Sequence, residues 1–344
     1  MKSRIAVVLS VVLLVIGLVS TCIAAADYVI KYAHAGPANA ETEPPHGAAV
    51  AFKSYVETAS GGRIRVEIYP GGQLGGEREI AEGVQFGDIE MGGSISDACT
   101  STIFPLAQAW TIPYLFKNYA VAFAFGKSDL MQELIERMAE EEGIRVVGIT
   151  DIGFRSFTNN ARSIHGPGDV AGLKFRTMEG PAYIRLVEAL GASATPIPIH
   201  EVYTSLQTGV VDGQENPPWV VRAFKFYEVQ DYLTLDGHVY CYSFTIINED
   251  FYQSLPTDLQ RILREGVEIA SLIHRGMVLS INFSVLDFLK EEGMEIYQPT
   301  PAELNAFKDA TAQPVLEWLK TVVDPTVVDR VLDTVANIEE EMGL

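Results

Sequence analysis

The sequence predicts an α/β protein of two lobes tied together by one long helix, and three observations carry that prediction. Strand, helix and strand patterns follow one another near the N-terminus, the order of a parallel βαβ unit. A helix–glycine–strand unit recurs, EIAEGVQFGDIE at 79–90 against EVYTSLQTGVVD at 201–212, with glutamate, glutamine and glycine coincident. An apolar periodicity from Leu259 to Leu289 then runs unbroken by proline, longer than one small domain requires. The recurrence fits chance likeness and two lobes of related topology equally well; the second would put Ser94 and Asn216 at matching strand ends.

A chain of 344 residues holds about two domains, and 48% hydrophobic content suffices for buried cores. Lys2 and Arg4 precede an apolar run from Ile5 to Val19, and Ala24-Ala25-Ala26 offers a small-residue cleavage site. Residues 1–26 therefore read as a secretory signal peptide, too short in its apolar run for the ~20 residues of a spanning helix. Thr21 fits a lipoprotein cleavage box poorly, so Cys22 is expected to be removed and the mature chain to begin near Asp27. No other segment reads as long and apolar enough to cross a bilayer, so an exported, soluble, periplasmic protein is expected. Cys99 and Cys241 are expected to be buried free thiols, and the histidines show no metal-ligand spacing with them. No metal or cofactor is expected.

The net charge of −20, with no basic patch, argues against a nucleic-acid partner. It also repels small anions, so any anion site must be local and built from arginine.

Tyr28 to Ala33 reads as a strand ending in the loop His34-Ala35-Gly36-Pro37. Ala49, Phe52, Tyr55 and Val56 form one face of a helix from His46 to Ala59, stopped by Gly61-Gly62. Ile64 to Tyr69 alternates as a strand, and Pro70-Gly71-Gly72 turns the chain. A helix from Glu77 to Phe86 leads into a short apolar segment, Ile89 to Gly93. Arg145 to Asp151 is a strand running into Gly153 to Asn160, an extended stretch suited to crossing between lobes. Gly166-Pro167-Gly168-Asp169 turns into the strand Leu173 to Arg176. Pro181 then opens a helix to Leu190, with Gly191 as its stop. Tyr240 to Asn248 offers a second crossing. Thr257 to Gln260 reads as a capping box opening a helix of about 30 residues, roughly 45 Å long. Two amphipathic helices follow Thr300, with Pro325 between them.

The chemistry concentrates between Arg155 and Trp219. Arg176 at one strand end can hold a carboxylate by two parallel hydrogen bonds, or serve a structural salt bridge. Asn216, in VDGQENPPW, donates to a carboxylate or hydroxyl, or fills a turn before Pro217. Arg155 lines the site or sits in a solvated hinge. Glu77 and His34 accept from ligand hydroxyls, or cap a helix and fill a turn. Trp219 and Phe244 wall the site or belong to the core.

YPGGQLGGERE, GFRSFTNN, GDVAGLKFRT and EVYTSLQTGVVDGQENP followed by KFYEVQDYLTLDGH occur in one order over nearly all the mature chain. Together they resemble the DctP-type substrate-binding proteins of TRAP transporters. That resemblance implies a two-lobed periplasmic-binding-protein fold with hinge-crossing strands, a long helix spanning both lobes, and a carboxylate bound between them. It implies delivery to TRAP membrane permease subunits, and a monomer is the default. The family's carboxylate-binding arginine falls on Arg176, its DGQEN asparagine on Asn216, its crossing arginine on Arg155, and the acid after QLG on Glu77. The lobes are expected at 27–153 with 242–281, and 154–241 with 282–344. Ile199 and His200 stand where relatives often carry an aromatic, and His34 where sialic-acid binders often carry asparagine. Sialic acid is therefore disfavoured. C4-dicarboxylates, sugar acids, and aromatic or keto acids all stay open.

Catalysis finds little support, since no G-x-S-x-G, phosphate-cradling loop or H-E-x-x-H is present. The rival is an exported hydrolase or lyase for acidic sugars, with Glu77 and Glu215 as acid and base. A chemoreceptor-coupled sensor would share the binding chemistry.

Overall fold

The structure is a computed structural model and describes residues 26–344. Residues 1–25, with most of the expected signal peptide and Cys22, lie outside the described residues. The strands are β1 (Tyr28–Ala33), β2 (Ile64–Tyr69), β3 (Met91–Ser96), β4 (Ile144–Asn159) and β5 (Lys174–Thr177), then β6 (Ser193–Pro196), β7 (Gly213–Asn216), β8 (Tyr232–Asn248) and β9 (Glu295–Tyr297). They form one sheet in the order β2-β1-β3-β8-β4-β7-β5-β6, with β9 beside β8.

That order is mirrored about its centre. β1 lies parallel between β2 and β3, and β5 lies parallel between β6 and β7. Each trio is wound strand–helix–strand–helix–strand, with helices Pro44–Ala59 and Glu77–Phe86 in the first and Pro181–Ala189 and Ile199–Gln207 in the second. The recurrence at 79–90 and 201–212 is thus one segment of a duplicated unit. Ser94 and Asn216 fall on the equivalent strands β3 and β7.

The antiparallel pair β4 and β8 joins the two trios. β4 is one continuous strand, where the sequence suggested a strand and a separate extended stretch. Its register with β8 shifts at three places, one of them between Asp151 and Gly153, opposite Tyr242 and Cys241. Gly153 has φ 110°, a conformation that favours glycine, and an added Cβ would lie 2.8 Å from the Tyr119 hydroxyl. β8 begins at Tyr232, earlier than the Tyr240 expected. Asp236, Gly237 and His238 hid this half, because buried charges and glycine are poor strand signals. Here Asp236 is satisfied within the sheet, accepting from the Phe157 amide at 3.2 Å.

The long helix is Thr257–Glu291, 35 residues. Its first half packs on helix Pro44–Ala59, and its later turns meet helix Pro218–Ala223 and β9. Gly266 permits the close approach, since a Cβ there would come within 2.7 Å of Val56 Cγ2. By length and composition this helix passes for a membrane span, contrary to the sequence expectation. Leu259, Leu263, Val267, Val278 and Leu289 are nonetheless buried against the protein's own elements. The expected capping box is absent: Pro256 is the N-cap, Thr257 already lies in the helix, and Gln260 donates to the carbonyls of Tyr252 and Leu255. A capping box forms instead at Thr300 and Glu303, opening helix Pro301–Val322. The last helix, Pro325–Glu341, packs on helices Tyr119–Phe125 and Asp129–Glu142, and so crosses the lobe division expected from the sequence. Cys99 and Cys241 are buried and unpaired.

Candidate functional site

A cleft opens where the ends of β5 and β7 face the loop after β1. Six of the eight residues picked out in the sequence line it: Glu77, Ser94, Arg155, Arg176, Asn216 and Trp219. Two do not. His34 is fully buried, its Nε2 3.0 Å from His46 Nδ1, and its neighbours Ala35 and Gly36 form the wall instead. Burial and the adjacent His46 hold the His34 ring down to about 3, so it stays neutral. Phe244 points into the core, stacked on Tyr242 and edge-on to Trp110.

Arg176 is 3% exposed and donates Nε to the Ile197 carbonyl at 2.7 Å, while its Nη1 is buried without a partner. Burial lowers the guanidinium to about 10 and the neighbouring Arg155 adds to this, against the pull of Glu215. It remains charged at neutral pH.

Arg155 has the counter-ion that Arg176 lacks, although its own Nη1 is also buried without a partner. Its Nε and Nη2 grip the Glu215 carboxylate, with Nη2 to Oε1 at 2.9 Å, and Nη2 also donates to the Glu215 carbonyl. Glu215 Oε2 lies 3.3 Å from His238 Nε2, and His238 Nδ1 lies 2.7 Å from Asp236 Oδ2. Burial opposes the charged forms, yet Arg155 and His238 hold Glu215 down to about 2, and Asp236 with Glu215 raises His238 to about 9. Two cations and two carboxylates thus neutralise one another beside the cleft. Arg176 forms no salt bridge among the described residues.

His238 carries a testable consequence. Its folded value lies above the ordinary 6.5, so the stability it contributes is complete below about pH 6.5 and is lost as pH rises through about 9. Chemical denaturation is expected to show stability falling by about 3 kcal/mol over that interval, and a flatter profile in His238→Gln. An unchanged slope in the variant would assign the fall to another group.

Asn216 is held by a buried polar chain. Its Nδ2 donates to Gln214 Oε1 at 2.6 Å, Gln214 Nε2 to Thr158 Oγ1 at 2.8 Å, and Thr158 Oγ1 to Gln230 Oε1 at 2.9 Å. Strand alternation explains why Gln214 and Asn216 share a face while Glu215 turns to Arg155. Gly213 is required because a Cβ would sit 2.2 Å from the Thr158 carbonyl oxygen. On the opposite wall, the Glu77 carboxylate accepts from the Ser96 amide at 2.8 Å. An irregularity between Gly92 and Ile95 puts Ser94 at φ 56°, and its hydroxyl lies 3.2 Å from that of Ser243. Trp219 is 4% exposed and donates to the Ile152 carbonyl at 2.7 Å, which fixes the indole as a wall.

Sequence reasoning missed most of the apolar wall, including Ile152, Met178, Val220 and Phe224. A usable signal existed: Met178 follows Arg176 by two residues, and Val220 and Phe224 share the segment after DGQENPPW. Among the described residues no group of three or more metal-ligating side chains is assembled. The rival pairing of Glu77 with Glu215 is ruled out by geometry, because Glu215 is locked between Arg155 and His238.

The chain matches the family of bacterial extracellular solute-binding proteins, family 7, over residues 35–321. It is 31% identical over 317 residues to a solute-binding protein of Roseobacter denitrificans, covering 92% of this chain and 96% of that one. A TRAP periplasmic solute-binding protein from Bordetella bronchispeptica, with density assigned as pantoate, superposes with TM-score 0.82 at 32% identity over 89% of this chain and 99% of that one. The sugar acid binding protein of Advenella mimigardefordensis in complex with galactonate superposes with TM-score 0.85 at 26% identity, over 90% and 98%.

Proposed function

The chain belongs to family 7 of the bacterial extracellular solute-binding proteins, and from that membership we propose that it holds a small organic acid by its carboxylate on Arg176. It is a transport binding protein and not an enzyme, and TRAP solute-binding proteins work with membrane permease subunits. The observation that carries the anchor is the contrast between two buried guanidiniums. Both leave Nη1 buried without a partner, but Arg155 has the Glu215 carboxylate as its counter-ion, whereas Arg176 has only the Ile197 carbonyl. A buried charge without a counter-ion is costly, and an arriving carboxylate supplies the missing partner. Pantoate, to which density in one structural neighbour is assigned, and galactonate, bound in another, both carry that group.

Capture proceeds by closure of two lobes, residues 27–153 with 242–281 and 154–241 with 282–344, except that the last helix travels with the first lobe on which it packs. The turning points are Gly153 and the facing Cys241–Tyr242 step, where the β4–β8 register shifts. The lobes meet where Tyr183 donates to Asp97 Oδ1 at 2.9 Å and Gly180 abuts Ala98. A ligand that binds the closed arrangement better shifts the equilibrium towards it. After cleavage of the signal peptide near Asp27, the protein acts in the periplasm as a monomer. Incubation with candidate acids is expected to raise the melting temperature, because a ligand stabilises by RT ln(1 + [L]/Kd), and mass spectrometry should recover every acid unchanged. Consumption of any stabilising acid would refute the receptor reading.

A further inference from the structure

Beyond the anchor, the polar equipment of the cleft is both sparse and already committed. A dicarboxylate needs a second free cation, and the charge of the other guanidinium in the wall, Arg155, is offset by Glu215, which leaves only its Nη1 without a partner. The Glu77 carboxylate in the same wall would repel a second negative charge. An open-chain sugar acid needs partners for several hydroxyls along its length. Here the walls away from Arg176 and Asn216 are supplied by Ile152, Met178, Ile199, Trp219, Val220 and Phe224. The one polar group of Trp219, its indole N–H, is already given to the Ile152 carbonyl. Glu77 and Ser94 remain to meet an oxygen or two, and each has one bond in place already.

We infer that the cleft selects a monocarboxylate with a compact branched or cyclic apolar body and at most one or two hydroxyl or keto oxygens, in preference to dicarboxylates and open-chain sugar acids. This rests on the carboxylate-capture reading. Its physical basis is that each sugar hydroxyl pressed against an apolar wall gives up its bonds to water without replacement, weakening binding by roughly 5- to 150-fold. The branched or ring carbons of the selected acid instead gain contact with Ile199, Met178 and Phe224.

The test is calorimetry on the mature protein with four probes: 2-hydroxy-3-methylbutanoate, 3-phenyllactate, succinate and galactonate. At least one of the first two is expected to bind roughly tenfold or more tighter than both of the others. Ile199 is half-buried at a helix start, so Ile199→Asn should fold and should shift the ratio roughly tenfold towards galactonate. Tighter binding of succinate or galactonate, lost in Arg176→Ala, would overturn the selectivity and leave the capture reading standing. An unchanged ratio in Ile199→Asn would likewise overturn it. Affinity for the whole panel that is absent, or indifferent to Arg176→Ala, would overturn the capture reading itself.

Discussion

Arg176→Ala is expected to weaken binding of the cognate acid by roughly 30- to 4,000-fold, about 2–5 kcal/mol, while leaving the empty protein no less stable. The two halves of that expectation come from one observation. Arg176 is buried beside a cluster whose charges already cancel, and its guanidinium meets a single protein acceptor, the Ile197 carbonyl. A structural arginine would be missed when removed, because its carboxylate partner would be stranded. Here no carboxylate is stranded, only the Ile197 carbonyl loses a donor, and the folded state is relieved of a charge that burial already disfavours. Calorimetry combined with urea denaturation separates the cases. Lost affinity with preserved stability supports the anchor, whereas less than about a fivefold loss would remove Arg176 from the site.

Arg155→Ala should do the reverse, destabilising the protein by about 3–5 kcal/mol, because it strands a buried carboxylate. Glu215 would then sit between His238 and Arg176 with no guanidinium of its own. Its carboxylate is expected to turn towards Arg176 and compete with the ligand, so affinity falls as well. Adding Glu215→Gln removes the stranded charge, and the double variant should recover more than half of the lost stability. A double-mutant cycle measures this coupling directly. Additive losses would show that the two side chains do not act as a pair.

These two arginines also show how far the sequence could be read. Period and punctuation placed the elements well: β1, β2 and helix Glu77–Phe86 stand where alternation, apolar spacing and glycine put them. Family motifs pointed to Arg176, Asn216 and Glu77, and the recurrence at 79–90 and 201–212 to Ser94. What stayed hidden was pairing across the sheet. Arg155 reads as a second ligand cation until β4 and β7 align and Glu215, 60 residues away in sequence, takes its guanidinium. Whether His34 and Phe244 face the cleft cannot be read from their segments alone, because the direction of a side chain depends on neighbours such as His46 and Trp110. The first half of β8 was missed for the same reason, since Asp236 and His238 look like loop residues until their partners are in view.

The central claim is that a carboxylate is held on Arg176, and the most direct measurement crosses ligand with residue. Affinities of a cognate acid and of its uncharged primary amide are measured by calorimetry on the wild-type protein and on Arg176→Ala. The amide is expected to bind the wild type at least about 30-fold more weakly than the acid, and the two should bind the variant alike. An acid–amide difference that persists undiminished in Arg176→Ala would place the carboxylate elsewhere and contradict the account.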